Sequence, residues 1–361
     1  MEDKKNCGII TFHDAINYGA VLQAYALKKA LTDYCNPFIV RHHNLKIAKQ
    51  HSLSPGIPTN PQALKTFIIK SLTYFPNAKK HQAFLDFKNR YLYDTPEETT
   101  ADFYITGSDQ VWNYVCSGFD KAYFLDFADA RKRNSYSASF GLDTIPEDYI
   151  EHYYTLLKNF NKISVRESTG CNIIKELLDR DVPVTLDPTL LLTKDEWKSL
   201  FSHSINEKPY LLVYAFCTTP TMIDFVNRIA ADKNLQIIVL LPEKSMWRKS
   251  KFKNAKYLNY LSPQDWVQYF YNASFVVTNS FHGTVFSINF NRPFAVELLP
   301  PPAKVNSRIT DMLKLLGLEN QYISNPDVLN AIDYKRINES LCIERKKSLD
   351  YLLSIVKDYN E

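Results

Sequence analysis

The chain has 361 residues, is 45% hydrophobic and 23% charged, and carries a formal net charge of +4. At roughly 150 residues per domain that length suits two globular domains, and the mild, scattered charge excludes the dense basic stripe of a nucleic-acid binder. Nine glycines with no GxGxxG or P-loop spacing remove most dinucleotide and nucleoside-triphosphate sites. The six cysteines, Cys7, Cys35, Cys116, Cys171, Cys217 and Cys342, form no CxxC pair, so they are expected to be reduced core residues of a cytoplasmic protein without a zinc site. The first residues run straight into an apolar strand with no signal-peptide core, and no apolar stretch is long enough to span a bilayer.

Cys7 to Phe12 reads as the first strand, His13 to Gly19 as a loop, and Ala20, Ala24, Leu27 and Leu31 as one face of a helix. Phe38 to Arg41 is a second strand. A Pro-, Ser- and Asn-rich loop is expected from Lys49 to Gln62, then helices around Ala63 to Tyr74 and Lys79 to Tyr91. Phe103 to Thr106, Asn134 to Phe140, Lys162 to Val165 and Val182 to Leu186 continue the strands. Thr193 to Trp197 looks like a helix start at a domain seam. A second series follows: strands at Tyr210 to Phe216, Gln236 to Leu241, near Tyr257, Ala273 to Val277 and Pro293 to Glu297, with helices between them. Ile332 to Tyr359 is a charged amphipathic helix. Alternating strands and helices imply parallel sheets. The expected fold is α/β, with two Rossmann-like open-sheet domains, residues 1–193 and 194–325, facing a cleft, and residues 326–361 as a C-terminal helix packing back.

Ligands of open α/β sheets bind outside the carboxyl ends of the strands. Six polar clusters fall there: Asn17-Tyr18-Gly19, Gly107-Ser108-Asp109-Gln110, Arg166-Glu167, Asp187-Pro188, Ser280-Phe281-His282-Gly283 and Lys304 to Arg308. Each alone also reads as a turn or helix cap; together, in phase with the strands, they mark a site. His282 sits where a strand gives way to a helix whose N-terminus favours anions, and imidazole titrates near neutral pH. Thr278 and Ser280 are placed to orient the ring, and Gly19 and Gly283 to allow close backbone approach. Arg166, Lys304 and Arg308 suit a carboxylate or phosphate. No metal-ligand cluster stands out.

The motifs NYGAVLQAYAL (Asn17 to Leu27), ITGSDQVWN (Ile105 to Asn113), SYSASFG (Ser135 to Gly141), SVRE (Ser164 to Glu167), LDPTLLL (Leu186 to Leu192) and TNSFHGTVFSINFNRPFAV (Thr278 to Val296), followed by Ser307 to Leu318, resemble the polysaccharide pyruvyl transferase family. The resemblance implies a fold like the two-domain B-type glycosyltransferases. It also implies transfer of a pyruvyl group from phosphoenolpyruvate to two hydroxyls of a sugar, on a cell-surface glycan or its lipid-linked precursor, with no cofactor. The family's acid/base histidine falls on His282 and its donor-binding arginine on Arg166. The family's other arginine, two residues before the histidine, is Ser280 here, so Lys304, Ser307 and Arg308 are expected to complete the donor's anion site with Ser280 and Gly283. Asn17, Tyr18, Gly19, Ser108, Asp109, Gln110 and Asp187 are expected on the acceptor or opposite side of the cleft. A nucleotide-sugar glycosyltransferase and a non-catalytic glycan-binding or assembly subunit remain open alternatives. The acceptor is a glycan or lipid-linked oligosaccharide, and the C-terminal helix leaves room for peripheral membrane contact, although its mixed charges favour packing back.

Overall fold

The computed structural model describes residues 4–50, 53, 67, 74–97, 99–241, 252–300 and 306–359. The expected loop 49–62 and helix 63–74 lie largely outside these residues, as does Lys304.

The first sheet is built from β1 (Asn6–Ile10), β2 (Asn36–Ile39), β3 (Phe103–Thr106) and β4 (Arg133–Ser135), all parallel, in the order β2-β1-β3-β4. The second holds β5 (Tyr210–Tyr214), β6 (Gln236–Leu240), β7 (Lys256–Leu258), β8 (Phe275–Thr278) and β9 (Phe294–Val296), parallel, in the order β7-β6-β5-β8-β9. Strands such as YLLVY and FVVT are buried along their whole length, as expected for parallel sheets covered by helices on both faces. Each order reverses direction once, between β1 and β3 in the first sheet and between β5 and β8 in the second. These reversals are the switch points of Rossmann-like sheets, where a crevice opens beyond the strand ends.

The expected strands at 134–140, 162–165 and 182–186 form only partly. Beyond Ser135 the first sheet continues through isolated parallel bridges, Asn134 to Lys162, Ala138 to Val165 and Val165 to Val184. Serine side chains replace part of the ladder: Ser164 N donates to Ser135 Oγ (3.1 Å) and Ser137 N to Ser164 Oγ (3.0 Å). Ser137 also adopts a left-handed conformation, φ 52°. Hydroxyls that compete for backbone partners break regular pairing.

The C-terminal helix, Tyr334–Lys357, starts against the second sheet's unit, where the Tyr334 hydroxyl donates to the Arg292 carbonyl. It ends on the first. Leu186 N donates to Ser348 Oγ (3.0 Å), the Tyr351 hydroxyl donates to Ser135 O (3.0 Å), and the Tyr359 ring stacks on Phe103 at 4.5 Å. The two sheet units also touch directly. The Tyr18 ring lies parallel to Trp266 at 5.4 Å, and its hydroxyl donates to Leu261 O at 3.0 Å.

Candidate active site

β8 ends at Thr278, and Ser280 caps the helix Phe281–Asn289. Ser280 Oγ accepts from Gly283 N (3.4 Å), while Ser280 N donates to Thr278 Oγ1 (3.0 Å). His282 therefore occupies the first helical turn, where the Phe281 and His282 amides have no carbonyl four residues back within the helix. Its side chain is nearly buried. Nε2 lies 3.7 Å from Asp187 Oδ2, an ion-pair separation rather than a hydrogen bond, and it is buried with no hydrogen-bond partner among the described residues. The ring face at Nδ1 lies against Gly19: a Cβ built there would stand 2.0 Å from Nδ1, 2.4 Å from Cε1 and 2.5 Å from Cγ. The switch points of the two sheets thus meet at this ring.

Asp187 is fully buried. Its Oδ1 accepts from Thr189 N (3.0 Å) and Thr189 Oγ1 (2.6 Å), and its Oδ2 from Ser108 Oγ (3.0 Å) and Arg166 NH1 (2.8 Å). Burial pushes this carboxyl up, but the adjoining His282 ring, the Arg166 guanidinium and the Thr189 donors outweigh it and hold it well below the usual carboxylate range. Asp187 is a carboxylate at neutral pH.

Arg166 packs its guanidinium 4.7 Å from the centre of the Phe281 ring, a cation–π distance. Burial opposes its charge, but Asp187, Asp109 and Glu167 outweigh that and raise its pKa. Asp109 Oδ1 is 3.7 Å from NH2 and Glu167 Oε2 is 3.9 Å from Nε. Glu167 itself accepts from Ser139 Oγ, Phe140 N and Gly141 N at 2.9–3.1 Å, which pins the SASFG loop beneath the site. Arg308 reaches the same Phe281 ring, 5.7 Å from its centre. Burial and the charge of Arg166 push its pKa down to about 10, against Glu167 and Asp109, so it too is charged at neutral pH. Phe281 thus carries two guanidinium groups.

A cavity of about 240 Å³ opens over this cluster. Of the residues expected from sequence, Asn17, Gly19, Asp109, Gln110, Ser280, His282 and Arg308 line it. Others are placed differently. Arg166, Ser108 and Asp187 form the buried layer beneath the wall, bonded to one another through Arg166 NH1 and Ser108 Oγ, while Arg166 Nε and NH2 have no hydrogen-bond partner among the described residues. Tyr18 points away into the contact with Trp266. Gly283 faces Thr278, whose Oγ1 would lie 2.3 Å from an added Cβ, so glycine here serves the packing of the helix on its own strand rather than ligand approach. Ser307 begins the helix Ser307–Leu316 outside the lining.

Asn279, Phe281 and Asn306, which stand inside the expected clusters and motif without a role of their own, also line it, and sequence reasoning missed Tyr214, Phe216, Leu299 and Ile309, which complete the lining. Asn279 and Phe281 stand inside the motif around His282, so their neighbourhood was the available signal. Asn279 ties two strand ends together, accepting from Phe216 N (2.8 Å) and donating to Cys217 O (2.9 Å). Asn306 makes paired bonds to the Leu299 backbone at 3.1 and 2.8 Å. Nothing in the local sequence marks the apolar members. Among the described residues no group of three or more His, Cys, Asp or Glu side chains is arranged to hold a metal ion.

Two facing switch points with an acid–imidazole pair between them define a two-sheet α/β fold with a candidate site in the cleft. The family model for polysaccharide pyruvyl transferases matches residues 17–296, and the chain belongs to that family, which makes it a transferase. No curated protein matches the chain. Among solved structures it is similar to UDP-N-acetylglucosamine 2-epimerase from Rickettsia bellii, at 10% identity over 99% of this chain and 98% of that one, with a TM-score of 0.49. It is also similar to a UDP-glucosyltransferase from Polygonum tinctorium, at 10% identity over 99% of each chain, TM-score 0.48. A third is UDP-GlcNAc 2-epimerase from Neisseria meningitidis, at 11% identity over 97% of this chain and 100% of that one, TM-score 0.45.

Proposed function

We propose that the protein transfers the pyruvyl group of phosphoenolpyruvate to two hydroxyls of a sugar, on a cell-surface polysaccharide or its lipid-linked precursor, in the cytoplasm. The observation that carries this reading is the His282 ring, which lines the cavity while its Nε2 is buried against the Asp187 carboxylate. Family membership supplies the reaction class. No helix among the described residues is long and apolar enough to cross a membrane.

The donor is a small polyanion. Arg308, the first-turn amides of the Phe281–Asn289 helix and the His282 ring are the groups that meet it. The cavity of about 240 Å³ shares Arg308 with a second cavity of about 460 Å³ that Arg166 also lines. Arg166 acts from beneath. It neutralises Asp187 and fixes Phe281, on which Arg308 also rests.

The reaction adds one proton to the methylene carbon and removes one from each of two sugar hydroxyls. C2 becomes electrophilic as the methylene is protonated. The first hydroxyl oxygen bonds to C2, the C2–O bond to phosphate breaks, and the second hydroxyl oxygen closes the ketal. The leaving phosphate takes up the remaining proton. With Nε2–H turned to Asp187, Nδ1 is the working nitrogen of His282 and moves protons on the cavity side. Asp187 sets a carboxylate 3.7 Å from Nε2 and favours that tautomer. General acid–base catalysis supplies roughly 10²–10⁴-fold, and charge complementarity around the donor supplies more. Phosphate release from phosphoenolpyruvate in the presence of candidate glycans, compared between wild type and His282→Ala, tests the reading. Full activity in the variant would refute the role of His282.

A further inference from the structure

The helix that carries His282 in its first turn ends at Asn289, about 10 Å from His282 at 1.5 Å per residue. Asn289 is buried and uses its whole amide on the connection between the two sheet units. Nδ2 donates to Thr189 O (3.1 Å) and Leu192 O (3.0 Å), and Oδ1 accepts from Arg345 NH2 (2.7 Å). Arg345, on the C-terminal helix, also donates from Nε to Leu190 O. Thr189 in turn gives both its amide and its hydroxyl to Asp187. One short segment, 187–192, is therefore fastened at both ends of one helix, to His282 at the start and to Asn289 at the end, with Arg345 closing the knot.

We infer that Asn289 and Arg345 are positioning residues that set the separation and alignment of Asp187 and His282. The inference deepens the transferase reading, in which that pair moves the protons. The two residues come from elements far apart in sequence, and the direct contact between them, 3.7 Å with no hydrogen bond, is too loose to align itself. A strap at the far end of the helix is what holds it. Displacements of about 1 Å at such a pair cost on the order of 10²-fold in rate.

The test uses the full chain with ring-¹⁵N-labelled histidine. The His282 resonances are identified by their loss in His282→Ala. Wild type is expected to show the Nε2-protonated tautomer, held by Asp187, and Asp187→Asn to lose that preference. Asn289→Ala is expected to move the His282 signals toward those of Asp187→Asn. Asn289→Asp discriminates further. It keeps an acceptor for Arg345 but sets a carboxylate against the Thr189 and Leu192 carbonyls, so it is expected to behave like alanine. Arg345→Lys keeps one of the two bonds and is expected to give an intermediate shift, and it carries the test if the Asn289 variants do not fold. Wild-type His282 signals in the folded variants would overturn the inference. Failure of wild type to bind phosphoenolpyruvate would instead sink the transferase reading, while the strap is still judged by the spectra.

Discussion

Gly19, from the first sheet's unit, and His282, from the second's, stand in direct contact, with no room for a methyl group between them. A side chain at position 19 must displace the ring or part the two units. Gly19→Ala is therefore expected to cost roughly 1–3 kcal/mol of stability, the usual range for overpacking. It should also lower turnover well beyond the accompanying loss of folded protein. Denaturant melts alongside rates per folded molecule separate the two effects.

Arg308 is the guanidinium that both lines the cavity and rests on Phe281. Its replacement by alanine removes a charge-assisted contact of roughly 1.5–3 kcal/mol, which is about 10- to 100-fold in phosphoenolpyruvate affinity. Arg308→Lys restores the charge without the planar stack and should recover only part of it. Calorimetric titration with phosphoenolpyruvate reads both. Equal affinity in all three proteins would remove Arg308 from the donor site.

Asp187 contributes to stability with a definite sign. Its folded pKa is depressed, so its contribution is complete above the unfolded value of about 3.9 and erodes as pH falls below that toward the folded value. Asp187→Asn leaves Arg166 buried without its closest partner and is expected to cost about 3–5 kcal/mol near neutral pH. The gap between wild type and variant should narrow between pH 5 and pH 3 in urea titrations. A gap that widens on acidification would contradict the ionised, paired state.

His13 gives the same sign in a separate, higher window. It is buried beside β1, its Nδ1 lies 3.0 Å from Thr11 O, and burial lowers its pKa to about 4 despite the backbone contact and Asp14. The folded protein keeps this ring neutral where the unfolded chain protonates it near 6.5. Stability should fall as pH drops from about 6.5 to about 4, by up to roughly 3 kcal/mol. His13→Gln is expected to flatten that slope, as measured by urea titration across the window.

Much of this arrangement is legible along the chain. Apolar runs such as YLLVY and FVVT announce buried parallel strands, and the step from Thr278 to Gly283 announces a strand-to-helix turn with an imidazole in the first helical turn. Arg166 shows the limit. Its position at a strand end was readable, but its orientation was not, because the choice between cavity and interior depends on Asp109 and Asp187 from other loops as well as on the neighbouring Glu167. The pairing of Asp187 with His282 is likewise a tertiary event, carried by a crossing segment and a helix end that no local pattern links. Tyr18 and Gly283 misled for a related reason. An aromatic ring or a glycine beside a site can serve packing between units as well as a ligand, and only the contacts decide.

The most direct test of the proposed chemistry follows C2 of ¹³C-labelled phosphoenolpyruvate by NMR with a surface-glycan acceptor fraction. Wild type is expected to convert the enol carbon to a ketal carbon with one phosphate released per ketal, and His282→Ala to slow this by roughly 10²–10⁴-fold. A wild-type protein that leaves phosphoenolpyruvate intact, or a His282→Ala variant that forms the ketal at the full rate, would contradict it.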